Sequence, residues 1–184
     1  IKEGTTAIVE NAFMNCTGLT SIEVPATVTY IGKNAFAGTT WYETQPDGPI
    51  YINKVFYKYK GTMALNSEYE VADGTVSISG DAFKGYTQLS KLVLPNSLTT
   101  IGEQAFADCD NLTSVIIPNS VTTIGKEAFK NCKSLSNVNI PNSVTTIGEQ
   151  AFAYCEKLTS MDIPNSLTTV ESGTFRDCKK LTSV

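Results

Sequence analysis

At 184 residues, with 17% charged side chains, a net charge of −4 and no histidine, the chain excludes several classes of function at once. The acidic balance argues against a nucleic-acid partner, which wants a basic face. The missing histidine removes Ser-His-Asp and Cys-His nucleophilic sites and most catalytic zinc sites.

The chain opens on a repeat. Phenylalanines stand at Phe13, Phe36, Phe83, Phe106, Phe129, Phe152 and Phe175; five of the six steps are 23 residues, and Phe36 to Phe83 is 47. A fixed period in this range means a solenoid, because each unit must stack on its neighbours to bury its apolar face. With Phe as position zero, −1 is Ala12, Ala35, Ala82, Ala105, Ala128 and Ala151, and +6 is Leu19, Leu89, Leu112, Leu135, Leu158 and Leu181. Positions +9 and +11 are apolar, from Ile22/Val24 to Met161/Ile163, and Pro25, Pro95, Pro118, Pro141 and Pro164 follow them directly. The spacing of two predicts a strand ending at the proline, which cannot donate to a sheet ladder. An extended segment then leads to Gly32, Gly102, Gly125 or Gly148. Around each Phe the apolar spacing is three to four, as in Ile124, Ala128, Phe129 and Cys132, which predicts one or two helical turns.

Residues 37–70 break the period. Trp41, Tyr42, Tyr51, Phe56, Tyr57, Tyr59 and Tyr69 gather here, and Gln45-Pro46-Asp47-Gly48-Pro49 is a turn cluster. Ile50–Ile52 and Val55–Tyr59 are predicted as a hairpin around Asn53-Lys54, with Val55, Tyr57 and Tyr59 on one face and Phe56, Lys58 and Lys60 on the other. The stretch is expected to be one expanded, degenerate repeat pair in a single solenoid of about seven units spanning 1–184. Both ends cut through a repeat, so a secretion signal and an anchor are expected outside this chain. No run approaches about 18 consecutive apolar residues, so no membrane insertion is expected within it.

The run Leu-x-x-Val-x-Ile-Pro-x-x-Val-x-x-Ile-Gly-x-x-Ala-Phe-x-x-Cys-x-x-Leu, Leu112 to Leu135, closely resembles the 23-residue repeat of BspA-like leucine-rich-repeat surface proteins, and the resemblance covers nearly all of the chain outside 37–70. It implies an α/β repeat solenoid: a right-handed leucine-rich-repeat superhelix with a parallel β-sheet, Pro/Gly turns and short helical segments. It also implies a secreted or cell-surface protein of bacteria or some protists, some of whose relatives adhere to matrix proteins or other cells. The Trp-Tyr, Gln-Pro-Asp-Gly and Tyr-Lys-Tyr-Lys-Gly stretches of 37–70 also resemble variant repeats of that family.

Cys16, Cys109, Cys132, Cys155 and Cys178 share position +3. The last four are expected to be buried, reduced thiols that fill space beside Phe. No C-x-x-C spacing points to zinc, and no metal or other cofactor is expected. Glu103, Glu127, Glu149 and Glu171 are expected on a solvated face. The column Asn96, Asn119, Asn142 and Asn165 is expected to serve turn hydrogen bonding. Two N-x-T sequons, at Asn15 and Asn111, overlap inward repeat positions and carry no weight.

The expected function is therefore a non-enzymatic adhesion or protein-interaction module, binding an extracellular-matrix or cell-surface protein or a glycan. Alternatives are a carbohydrate-binding surface on the aromatic insertion and a structural spacer for another domain. If +9 and +11 point inward, +8 and +10 point outward. This makes Lys91, Val93, Ser114, Ile116, Asn137, Asn139, Ser160 and Asp162 the candidate contact residues. The insertion has two readings: its hairpin extends the sheet and its aromatics pack on neighbouring turns, or Trp41, Tyr42, Tyr57, Lys58, Tyr59 and Lys60 form an exposed alternative patch, since Tyr and Trp are favoured in binding hot spots.

Overall fold

The computed structural model describes all of residues 1–184. Its elements are β1 (Ala7–Ile8), β2 (Tyr30–Ile31), α1 (Thr40–Glu43), β3 (Gly48–Ile52), β4 (Val55–Lys60), β5 (Ser67–Glu70), β6 (Ser77–Ile78), β7 (Leu89–Val93), β8 (Thr100–Ile101), β9 (Ser114–Ile116), β10 (Thr123–Ile124), β11 (Asn137–Asn139) and β12 (Thr146–Ile147). The strand predicted from the apolar pair at +9 and +11 forms, ending at +10 rather than at the proline, in a four-stranded parallel sheet ordered β5-β7-β9-β11. The extended segment before the glycine, predicted without pairing, forms a second sheet. It is ordered β3-β4-β6-β8-β10-β12 and is parallel except for the β3–β4 hairpin. The same position pairs β1 with β2.

The Phe-bearing segments are not helical; α1, a single turn, is the only helix. Around Phe106 the backbone amides alternate. Ala105, Ala107 and Cys109 donate three residues back, to Gly102, Gln104 and Phe106, while Gln104, Phe106 and Asp108 donate to Lys126, Ala128 and Lys130 of the next coil, each at 2.8 Å. An α-helix would direct every amide into its own coil and leave the neighbouring coil unpaired. The alternation requires left-handed backbone two residues before and two after Phe, and all seven units have it: Gln104 and Asp108 lie at φ 55° and 61°, Glu127 and Asn131 at 54° and 60°. Ten of these fourteen residues are Asn, Asp or Gly, the types that adopt this conformation at least cost. A spacing of three to four is common to a helical turn and to this turn stack, so periodicity alone does not separate them.

Inside the stack, Phe83, Phe106, Phe129 and Phe152 lie ring over ring at 5.2–5.4 Å and within 16° of parallel. The Leu at +6 and the residues at +9, +11, −8 and −5 complete a core of 33 buried side chains; a second core of nine, including Ile8, Ile31, Phe36 and Tyr57, serves the N-terminal coils. Glycine stands at −4 because of close approach, not backbone sign: a Cβ on Gly102 would sit 2.6 Å from the Gly80 nitrogen, and one on Gly125 would sit 2.7 Å from the Glu103 nitrogen.

Cys109, Cys132, Cys155 and Cys178 are buried and unpaired, whereas Cys16 is exposed. Each buried thiol donates to the Phe carbonyl of the preceding coil: Cys109 Sγ to Phe83 O at 3.1 Å, Cys132 Sγ to Phe106 O at 3.2 Å, and so on to Cys178. Tyr86 fills the same position in its unit and reaches back likewise, its hydroxyl donating to Tyr59 O and Gly61 O.

Four outcomes follow from this packing. Phe129→Ala removes a fully buried ring between two others and should cost about 3–5 kcal/mol in a denaturation experiment. Asn131→Val places a branched side chain at φ 60° and should cost about 1–2 kcal/mol, whereas Asn131→Gly should keep most of the stability. In the native state a thiol reagent should label Cys16 quickly and the other four only on unfolding. Burial also pushes the Cys109 thiol up from 9.0 to about 12 and raises Cys132 and Cys155. Above about pH 8.5 the unfolded chain loses these protons and the folded chain keeps them. Stability is therefore whole below that pH and falls between about 9 and 12, by up to about 1.4 kcal/mol per pH unit per buried thiol. Denaturant midpoints at pH 7.5 and 10 measure this.

Candidate partner-binding surface

The strand face is built by simple alternation. Leu92, Val115, Val138 and Met161 turn inward and are buried, while Lys91, Val93, Ser114, Ile116, Asn137, Asn139, Ser160 and Asp162 are exposed. Parallel register lines them up across the coils: Lys91 stands beside Ser114, Ser114 beside Asn137, and Ile116 beside Asn139. Beyond the last named strand, Ser160 bridges to Ser183. Val93 and Ile116 are 43% and 77% exposed and line one shallow depression with Lys91, Asn96, Ser114 and Pro118.

β5 adds residues that the repeat pattern did not reveal. Glu68 pairs in register with Lys91 and Glu70 with Val93, and Lys91 Nζ lies 3.1 Å from the Glu68 carboxylate. The signal was present as Ser67-Glu68-Tyr69-Glu70-Val71, an inward aromatic with an acid on either side. Tyr69 does pack on Phe56, Tyr59 and Phe83.

The Asn column does not do the turn work expected of it. The Pro carbonyls accept from Leu98, Val121, Val144 and Leu167, closing each turn through the backbone. It is Ser97, Ser120 and Ser166 that reach back to the Thr75, Leu98 and Val144 carbonyls, at 2.6–2.8 Å. The side chains of Asn96, Asn119, Asn142 and Asn165 are exposed, with their amides turned to solvent. Of the glutamates expected on a solvated face, Glu149 and Glu171 are exposed. Glu127 is instead half-buried and accepts from Gln104 and from Lys130 Nζ.

The aromatic insertion packs on its neighbouring turns, as the first of its two readings expects, and the exposed patch of the second does not form. Tyr57 is 3% exposed, and its hydroxyl accepts from the Phe36 N–H at 2.9 Å. Phe56 is buried as well and stacks on Phe83 at 4.6 Å. Tyr59 packs on Phe83 and Tyr86, and so does not share the Tyr57 cluster as a strict alternation would require. Lys58 Nζ donates to the Asp81 carbonyl at 2.7 Å, and burial lowers its pKa while the Asp81 charge opposes the shift. Lys60 Nζ donates to the Tyr42, Glu43 and Gln45 carbonyls and lies over the Tyr42 ring, capping the C-terminal end of α1. Trp41 and Tyr42 are half-buried, edge-on to Phe36 and Tyr57. No group of three or more His, Cys, Asp or Glu side chains is placed to hold a metal ion, and no helix is long and apolar enough to cross a membrane.

The BspA type leucine rich repeat region matches this chain in six copies, over residues 1–45 and 50–182. The chain belongs to that family. No curated protein matches it. Among solved structures, a leucine rich cell surface protein from Faecalibacterium prausnitzii A2-165 is similar at 24% identity and TM-score 0.69, over 100% of this chain and 57% of that one. The pneumococcal vaccine antigen PcpA is similar at 26% identity and TM-score 0.68, over 94% of this chain and 46% of that one. The leucine rich repeat protein of T. pallidum is similar at 23% identity and TM-score 0.59, over 99% and 64%. This BspA-type chain thus spans between 46% and 64% of the length of those three proteins.

The break in the family match falls on the turn that leads into β3, and the hairpin beyond it is the structural joint between two cores of this BspA-type stack. Tyr57→Phe leaves the buried Phe36 N–H without its acceptor and should cost about 1–3 kcal/mol. The paired change Val93→Asp with Ile116→Asp, on exposed positions, should stay within about 1 kcal/mol of the parent. Urea denaturation of the two variants side by side separates a hairpin that holds the fold from a face that is free of it.

Proposed function

We propose that this chain is a non-enzymatic protein-interaction module of a cell surface, which meets an extracellular-matrix or neighbouring-cell protein through the strand face. The observation that carries the proposal is the contrast between the two sides of β7, β9 and β11. The inward side repeats one apolar pattern, as stacking demands. The outward side is lysine and valine, then serine and isoleucine, then two asparagines. Exposed Val93 and Ile116 at its centre, with charged and amide groups around them, make an apolar spot with a polar rim, which is how contact sites are built. Leucine-rich solenoids offer extended surfaces of this kind. A surface location is supported by the similarity to a protein described as a leucine rich cell surface protein and to a vaccine antigen.

The glycan alternative has less behind it. Its proposed platform, Tyr57 and Tyr59, packs against Phe36 and Phe83, and the strand face of β7, β9 and β11 carries no aromatic ring on its outward side.

The test is binding of the purified chain to a panel of extracellular-matrix proteins and whole cells, compared with the Val93→Asp/Ile116→Asp variant. Saturable binding to at least one member, weakened tenfold or more by the double change at unchanged thermal stability, is the expected result. Binding that survives the double change moves the contact elsewhere on the solenoid, and binding to nothing in the panel removes the adhesion role.

A further inference from the structure

Two acids and four strands define what the strand face fits. The +10 row runs across the coils as Glu70, Val93, Ile116, Asn139 and Asp162. Glu70 stands in register with Val93, Val93 shares a depression with Ile116, Ile116 is in register with Asn139, and Asn139 shares the next depression with Asp162. The row is therefore acid, apolar, apolar, amide, acid. Neither terminal carboxylate has a lysine or arginine within ion-pair distance, whereas the one lysine on the face, Lys91, is already matched to Glu68. Adjacent strands are about 4.8 Å apart, so four steps put the two free carboxylates about 19 Å from one another.

We propose that this row binds an extended peptide segment of basic–apolar–basic pattern, lying along the solenoid axis. The proposal rests on the strand face being the contact surface, and adds what that surface selects. A peptide in strand conformation rises about 3.3 Å per residue and sends alternate side chains to one side. Residues one and seven of a heptapeptide are then about 20 Å apart on the same face, which matches the spacing of Glu70 and Asp162. Residue three falls about 6.6 Å along, between Val93 and Ile116, and residue five about 13 Å along, between Ile116 and Asn139, so both aliphatic side chains reach the apolar centre and are desolvated there. The edge beyond the row carries Asn96, Asn119 and Asn142, exposed amides with both donors and acceptors to offer the peptide groups of such a ligand. An acidic peptide meets two unmatched carboxylates, and like charges brought together at a contact are penalised. A sugar finds only aliphatic carbon at the apolar centre, with no ring to stack on.

The probe is the heptapeptide arginine–serine–leucine–serine–leucine–serine–arginine, titrated into the isotopically labelled chain and followed by amide chemical shifts. Saturable shifts confined to the β5, β7, β9 and β11 face are expected. They should weaken about tenfold or more with Glu70→Gln/Asp162→Asn, a nearly isosteric pair that leaves the fold in place. Binding should also weaken with added salt, because both end contacts are exposed ion pairs. The proposal is overturned by any of three results: no saturable shift, equal binding of the peptide with glutamate at both ends, or equal binding by the neutralised variant. If Val93→Asp/Ile116→Asp abolishes matrix-protein binding while the heptapeptide is silent, the face stands as a contact surface and the basic–apolar–basic class falls. If the matrix protein binds normally to that variant and the peptide is also silent, both readings fall. A glycan array that is positive where the peptide is silent overturns the peptide assignment in favour of sugar.

Discussion

Each core phenylalanine lies flat on the ring of the coil before it, about 5.3 Å away in the regular part of the stack, and the rest of the chain is arranged so that this can happen again. To put a ring in the same place, the coil must close after 23 residues. To close, it must turn sharply on both sides of Phe, and the backbone does so with paired left-handed residues. To let the next ring approach, the backbone at −4 must carry no side chain, hence Gly102 and Gly125. Phe carbonyls accept from the Cys N–H of their own coil and from the Cys thiol of the next, so even the polar groups beside the rings are matched from coil to coil. None of these choices is free once the ring stack is fixed.

The same constraint explains what was legible in the sequence. Positions that face the stack recur because their surroundings recur, so Phe129, Leu135, Val138 and Ile140 could be assigned inward from spacing alone, and all are buried. The outward alternation of Lys91, Val93, Ser114 and Ile116 followed from the same strand. Helix was expected where turns are found because Ile124, Ala128 and Cys132 would align equally well on either. The signal that separates them is the Asn, Asp and Gly pairs flanking Phe, which is a statement about φ rather than hydrophobicity. The second sheet escaped notice because Thr123–Ile124 is too short to show a period. The insertion left two readings open, packed aromatics or an exposed patch of aromatics and lysines, and sequence alone does not divide them, because Lys58 and Lys60 are held by backbone carbonyls inside the joint rather than by any neighbouring acid the pattern would show.

The exposed faces differ in how their charges are used. Away from the strand face, Lys133 to Asp110, Lys179 to Glu156 and Lys126 to Glu149 are each ion pairs between residues 23 apart, at 2.8–3.1 Å. Each joins one coil to its neighbour. Exposed pairs of this kind contribute about 0–1 kcal/mol apiece, but they leave those surfaces electrically matched and indifferent to visitors. The +10 row of the strand face is the contrast, with aliphatic carbon at the centre and unmatched carboxylates at the ends.

β4 has no solvent side along its first three residues. Val55 and Tyr57 belong to the N-terminal core and Phe56 to the larger one. Repeat stacks are well described as a row of units coupled to nearest neighbours, able to open from an end one unit at a time. Here one strand is a common wall, and pulling it out empties both rooms. Opening that comes through the N-terminal coils must, to pass residue 60, strip the Phe56–Phe83 contact and the β4–β6 pairing in the same event. The irregular repeat thereby puts a step in an otherwise graded structure: opening that begins in the N-terminal coils meets the shared wall of β4 before it reaches the coils that carry the strand face.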